Sequence, residues 1–211
     1  MNSALLDLTP EKLDLRKKLG HLYRPPVGDV EVLKVPRMKY VMVDGGGSPE
    51  SDDFHQAIGT IYNVAYTMKF RSKKLLKRDY NIMALEGLWW VEGGGFDATK
   101  RESWQWTLMI VQPDFVTPRL FADSVKEVKA KKNPPGLERA RLVPFAEGLC
   151  AQTMHVGPYS TESETIARLE TFVKEHGYKV VGKHHEIYLG DPRRAAPSKL
   201  RTIVRHPIAK A

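Results

Sequence analysis

Residues 184–191 read His-His-Glu-Ile-Tyr-Leu-Gly-Asp. In a strand, successive side chains alternate between two faces. Ile187 and Leu189 then point one way, toward a core, and His184, Glu186 and Tyr188 point the other. A carboxylate beside an aromatic ring suits the wall of a pocket. Taken alone, Glu186 is either an ordinary solvated strand residue or the polar anchor of such a pocket; if enclosed by Trp and Tyr, it would lose hydration and its pKa is expected to rise. A cationic ligand relieves that cost, and each ring face adds cation–π attraction of about 0.5–2 kcal/mol. Flat walls select planar molecules, and the carboxylate selects a positive charge or a donor. The same carboxylate, titrating near neutrality, is a competent general base toward water. A Tyr hydroxyl nearby can donate to an oxygen that gains negative charge.

Other residues could join this chemistry. Glu86 precedes Trp89-Trp90 much as Glu186 precedes Tyr188-Leu189. Tyr62 and Tyr66 lie four apart, beside a helical core stripe of Phe54, Ile58, Ile61, Ala65 and Met68. They either rim the core or line a cleft. The adjacent histidines, His184 and His185, point to opposite strand faces and cannot share one ion, so no metal site is expected. No cofactor is expected either. Cys150 sits in an apolar strand and reads as a small core residue.

The elements that must position these side chains follow from punctuation and period. Residues 1–34 form a lead-in, with Thr9 as helix cap, Pro10 at the first helical position, a helix to about Leu19 and a Pro-Gly loop. One short helix is no helix-turn-helix. Strands are expected over 35–43, 81–91 and 103–112, with helices over 49–69 and 117–131. Gly45-Gly46-Gly47 reads as a strand-to-helix connection, and Asn133-Pro134-Pro135-Gly136 as a linker. Strands over 142–145 and 150–155 then flank an Ala-Glu-Gly turn. A helix over 161–176 and strands around Glu186 and over 200–205 complete the chain. The order strand, long helix, strand, strand therefore occurs twice. The fold class is α+β, a tandem pseudo-twofold repeat with antiparallel sheets around a central cleft. Its two modules are 35–132 and 137–207.

The 211 residues suffice for a sizeable core, and the hydrophobic fraction of 42% is that of an ordinary globular chain. No apolar run has the length of a membrane span and no signal-peptide plan opens the chain, so no membrane partner is expected. With a single cysteine, cytoplasmic residence is expected. The net charge of +8 resides in helix ends and loops such as Lys69–Arg78 and Lys126–Lys132, without nucleic-acid-binding motifs. Nucleic acid is not the expected partner.

Leu149–Tyr159, ending His155-Val156-Gly157-Pro158-Tyr159, and His185-Glu186-Ile187-Tyr188-Leu189 resemble the GyrI-like small-molecule-binding domain. So do Leu85-Glu86-Gly87-Leu88-Trp89, Gln112–Thr117, and Asp191-Pro192-Arg193 with Pro197–Leu200. The resemblance is to the stand-alone bacterial branch and covers the chain from about Val35, making 35–211 one GyrI-like domain. Its relatives include the effector-binding halves of multidrug-responsive transcription activators. The resemblance implies that Glu186 reaches into an aromatic pocket for a planar amphipathic or cationic small molecule. It also implies an alternative, because some stand-alone members are hydrolases that open the cyclopropane ring of DNA-alkylating natural products. On that reading Glu186 is the base, Tyr66 or Tyr62 the donor, and Glu86 a second carboxylate. The expected wall comprises Trp90, Trp104, Trp106, Tyr188, Tyr159, Phe54 and His155.

Overall fold

The computed structural model describes residues 11–93, 95–97 and 99–211. The expected cap Thr9 and helix-opening Pro10, together with Gly94, lie outside the described residues. The elements are β1 (Glu11–Leu13), α1 (Leu15–Lys18), β2 (Glu31–Val35), β3 (Met38–Gly46), α2 (Asp52–Arg71), β4 (Arg78–Tyr80), β5 (Leu85–Trp90), β6 (Gln105–Gln112), α3 (Pro118–Lys131), β7 (Arg141–Phe145), β8 (Gly148–Val156), α4 (Glu162–Glu175), β9 (Tyr178–Val180), β10 (His184–Tyr188) and β11 (Arg201–Lys210). The fold is α+β, built on a large antiparallel sheet. No helix among the described residues is long and apolar enough to cross a membrane.

Strand order in the large sheet is β2-β8-β11-β10-β5-β6-β3-β7, and β9 adds to β11. Outward from the β10–β5 seam, the order is β10-β11-β8 on one side and β5-β6-β3 on the other. The seam is itself a paired ladder, with Glu186 opposite Gly87 and Ile187 opposite Glu86. The two halves therefore form one continuous sheet rather than two sheets with a groove between their edges. The two-residue links 36–37 and 146–147 each connect strands near opposite ends of this order. Such a link reaches only about 10 Å, so the sheet must curl until its ends come together. The expected hairpin around Ala146-Glu147-Gly148 is thus corrected: β7 pairs with β3, and β8 with β2 and β11.

Curling gives the sheet an inner and an outer face. Tyr40 on β3 lies close enough to Glu86 and Glu147 to feel their charges across the inner space. The lead-in plugs that space, with Leu15, Leu22 and Tyr23 buried. The helix expected to begin near Pro10 is much shorter. Asp14 accepts from the backbone N–H groups of Arg16 (3.0 Å) and Lys17 (3.2 Å) and fixes the start of α1. Residues 11–13 instead pair with β4.

Both long sheet helices sit on the outer face. Ser51 caps α2 by accepting from Phe54 N–H at 3.2 Å, and Phe54 packs on Trp89 and Trp106. Gly45 belongs to β3 rather than to a connection. A Cβ there would stand 2.1 Å from the Trp106 ring, so only glycine admits that indole. Leu169 and Val173 of α4 pack on Ala151 and Val204. α3 covers α2 instead of the sheet. α2 lies over β3 and β6 and α4 over β8 and β11, with β5 and β10 running between them.

Candidate functional site

On β10 the strand period sends His184, Glu186 and Tyr188 to the outer face, into the space between α2 and α4. Glu186 Oε1 accepts from His184 Nε2 at 2.9 Å, and Oε2 from the Tyr188 hydroxyl at 2.7 Å. Trp89 Nε1 donates to that hydroxyl at 3.1 Å. Gly87 lies beneath this contact, where a Cβ would stand 2.8 Å from Trp89 Nε1 and 3.1 Å from the Tyr188 oxygen. The β10–β11 register brings His206 beside His184, with Nδ1 of His184 and Nε2 of His206 2.8 Å apart. Phe96 stacks on His184 with centroids 4.2 Å apart, and Tyr159 meets Tyr188 edge to face at 6.0 Å.

The electrostatics correct one expectation. Burial does push the Glu186 carboxyl up, but hydrogen bonds and charge from His184, with the Tyr188 hydroxyl, outweigh it and hold the group below the usual range. Glu186 is therefore a carboxylate at neutral pH, and its side chain retains 12% exposure. The acid with a strongly raised pKa is Glu162, at the start of α4. Burial and the neighbouring Glu186 charge drive it up. Burial and His184 lower His206 to about 3, so it is neutral. Burial, Glu186 and Glu162 push the Tyr159 hydroxyl up to about 12.

Glu86 is not in this group. Its place opposite Ile187 turns it to the inner face, where it is fully buried. There its Oε1 accepts from the Tyr23 hydroxyl at 2.6 Å and its Oε2 meets His185 Nε2 at 3.1 Å. His185 Nδ1 meets Glu147 at 2.9 Å, and Arg205 meets the other Glu147 oxygen at 3.2 Å. Burial opposes charge on His185, but Glu147 and Glu86 outweigh it and push the imidazole up to about 9. Burial likewise opposes charge on Glu147, and His185 with Arg205 holds it below the usual range.

The remaining expected residues divide. Tyr188 and Tyr159 edge the Glu186 site, and Trp104 stands one ring away, against Trp89 and Phe96. Phe54 and Trp106 are core partners, Trp106 being fully buried. Trp90 faces inward with Glu86, at a separate hollow of about 470 Å³ where Lys183 Nζ lies 3.0 Å from its ring centroid. His155 is buried against α4, bonded to Thr165 Oγ1 at 2.9 Å and to the Pro158 carbonyl at 3.1 Å. Tyr62 and Tyr66 lie one turn apart along α2 with their rings tilted, and line a hollow of about 340 Å³ with Phe70, Val128 and Lys131. Tyr62 also lies near Asp191 and Arg193, in the loop after β10. Glu186 takes its hydrogen bonds from His184 and Tyr188, and from neither of these tyrosines. Sequence reasoning missed Trp89, Glu162 and His206. The alternation that separates Trp89 from Glu86 was a usable signal for the first. The other two needed the tertiary contacts.

A family model for the GyrI-like small molecule binding domain matches residues 110–209. A crystal structure of a conserved protein from Listeria innocua is 38% identical, with a TM-score of 0.86, covering 93% of this chain and 100% of that one. A structure described as a hydrolase from Listeria innocua is 37% identical, with a TM-score of 0.82 and the same coverage. The C-terminal domain of EcmrR shares the fold at 13% identity and a TM-score of 0.54, covering 87% of this chain and 98% of that one. Comparison with curated proteins gave no match.

Proposed function

The chain belongs to the GyrI-like small-molecule-binding domain family, and from that premise we propose that it binds a planar amphipathic or cationic compound in the cleft over Glu186. One observation carries the reading: a carboxylate held charged, still 12% exposed, stands between aromatic rings and has no Lys or Arg partner among the described residues. A bound cation supplies a permanent counter-charge beside His184, and Tyr159, Tyr188 and Trp89 supply faces and edges for a flat ring system. We place this activity in the cytoplasm, where the single buried thiol Cys150 needs no partner.

Titration with ethidium, a planar cation, followed by tryptophan emission, tests it. Saturable quenching is expected, and Glu186→Gln should weaken binding at least about tenfold through loss of the charge pair. Equal binding by the variant, or no binding of any planar cation in a panel, overturns the reading.

A second reading is hydrolysis of a cyclopropane-bearing alkylating compound. It is favoured by the ionised Glu186 beside the Tyr159 hydroxyl, whose raised pKa keeps its proton, and by the Listeria innocua relatives described as hydrolases. Glu186 would take a proton from water as the water oxygen bonds to a ring carbon. The pair from the breaking C–C bond would move to a conjugated oxygen, which Tyr159 would protonate. Mass spectrometry of the ring-opened water adduct tests this, and turnover unaffected by Glu186→Gln and Tyr159→Phe removes it.

A further inference from the structure

Glu162 opens α4 and is only 5% exposed. Its Oε1 is fully buried and reaches no hydrogen-bond donor among the described residues. The group its carboxyl does meet is the carboxyl of Glu186. Two carboxyl groups can share a hydrogen bond only if a proton lies between them, because two adjoining carboxylates repel. Both Glu186 oxygens already accept, from His184 and Tyr188, so the proton resides on Glu162. Thr202 adds an independent mark of an incomplete site. It lies between His155 and Tyr188 in the ladder, and its buried Oγ1 has no partner.

We propose that Glu162 is a second cation-binding carboxyl of this site: an organic cation entering the cleft replaces the proton held between Glu162 and Glu186, and that proton passes to solvent. The inference rests on the binding reading above. A positive charge touching both carboxyls favours the ionised form of each, which the empty site cannot sustain. The charge balance is simple. The empty pair carries one proton and one negative charge. The occupied pair carries two negative charges, the bound cation and no proton.

The other titratable groups facing the pair are His184 and Tyr188 from β10, His206 from β11, His155 from β8, and Tyr159 with Asp191 at the rim. His206 is already neutral, and both tyrosines keep their protons through neutrality. His155 has both ring nitrogens engaged by α4 and its preceding turn. His184 is the rival proton source, and substitution of Glu162 separates the two.

The experiment is isothermal titration of the full chain with ethidium near neutral pH, in phosphate and in Tris, whose ionisation enthalpies differ. The expected result is release of close to one proton per ethidium bound, with affinity rising up to tenfold per pH unit while the empty site keeps its proton. Glu162→Gln, which mimics the protonated acid, should still bind but release no proton and lose the pH slope. Binding by the native chain without proton release overturns this inference alone, and needs no variant to fold. Release that persists in Glu162→Gln assigns the proton to His184 and also overturns it. Absence of ethidium binding overturns the reading beneath it and this inference together.

Discussion

Two polar clusters sit back to back on β5 and β10, one on each face of the same strands. On the inner face, Glu86, Glu147, His185 and Arg205 form a group in which every carboxyl oxygen has a partner. Arg205 also donates to Gln152 Oε1 at 2.8 Å and to the Leu22 carbonyl at 2.7 Å. Two acids meet two basic groups, and the lead-in seals them from water. On the outer face, Glu186 has hydrogen bonds but no Lys or Arg partner among the described residues. Glu162 Oε1, Thr202 Oγ1 and His206 Nδ1 are buried without partners among the described residues. A polar cluster with all its bonds made can hold the fold together and has nothing left for a ligand. A cluster with bonds unmade costs stability and retains capacity to bind. The difference supports a structural role for Glu86 and the binding role proposed for Glu186, although both segments have the same acid-before-aromatic pattern.

The sharpest way to break this comparison is to remove one charge from each side. Arg205→Met leaves two buried carboxylates, Glu86 and Glu147, to the His185 imidazole alone, and should cost about 3–5 kcal/mol in urea denaturation. Glu186→Gln should cost less than about 1 kcal/mol, because the amide still fits a partly exposed polar site. Equal costs would mean that both clusters are structural.

Stability against pH sharpens it further. His185, raised to about 9 from an ordinary 6.5, stabilises fully below about pH 6.5. Its contribution is lost as pH climbs through about 9, because the unfolded imidazole gives up its proton first. Glu147, held low, works the other way: it stabilises above its ordinary 4.5, and that contribution is lost as pH falls. Chemical denaturation of Glu162→Gln, chosen so that the outer acid does not titrate, should lose up to about 3 kcal/mol between pH 6.5 and 9.5. A flat alkaline limb would show that the inner imidazole is not held charged.

The strand period of residues 184–188 was legible, and it correctly separates His184, Glu186 and Tyr188 from Ile187. Cross-strand register was not. Gly87, rather than Glu86, stands opposite Glu186, and a one-residue offset sends a side chain to the other face. The echo between Glu86 and Glu186 was therefore real as sequence and misleading as geometry. Burial alone argued for a raised Glu186 pKa, and the argument failed because His184, two residues away on the same face, donates to it. Glu162 carries no signal of its own in the sequence, since its contact with Glu186 exists only once α4 has docked on the sheet. Residues 36–37 fall inside the strand expected over 35–43, and the link at 146–147 reads as a turn between neighbouring strands because turn chemistry does not say which strand lies alongside. Alternation along a strand sends Trp89 and Trp90 to opposite faces, but which face each takes is decided by α2, whose Phe54 packs on Trp89.

The smallest effect probes the spare hydroxyl. Thr202 Oγ1 is buried on the outer face with no partner, whereas its side chain is otherwise enclosed between β8 and β10. Valine has nearly the same shape and carries no hydroxyl to desolvate. If the outer cluster is incomplete, Thr202→Val should leave stability unchanged or raise it by about 1 kcal/mol, which is an increase of about 2–4 °C in Tm for a chain of this size. The corresponding removal of a bonded group on the inner face, Tyr23→Phe, should lower Tm instead, because Glu86 Oε1 would lose its 2.6 Å donor. A fall in Tm for Thr202→Val would mean that the hydroxyl is satisfied in solution. The outer cluster would then be as complete as the inner one, and the reason for placing a ligand there would weaken with it.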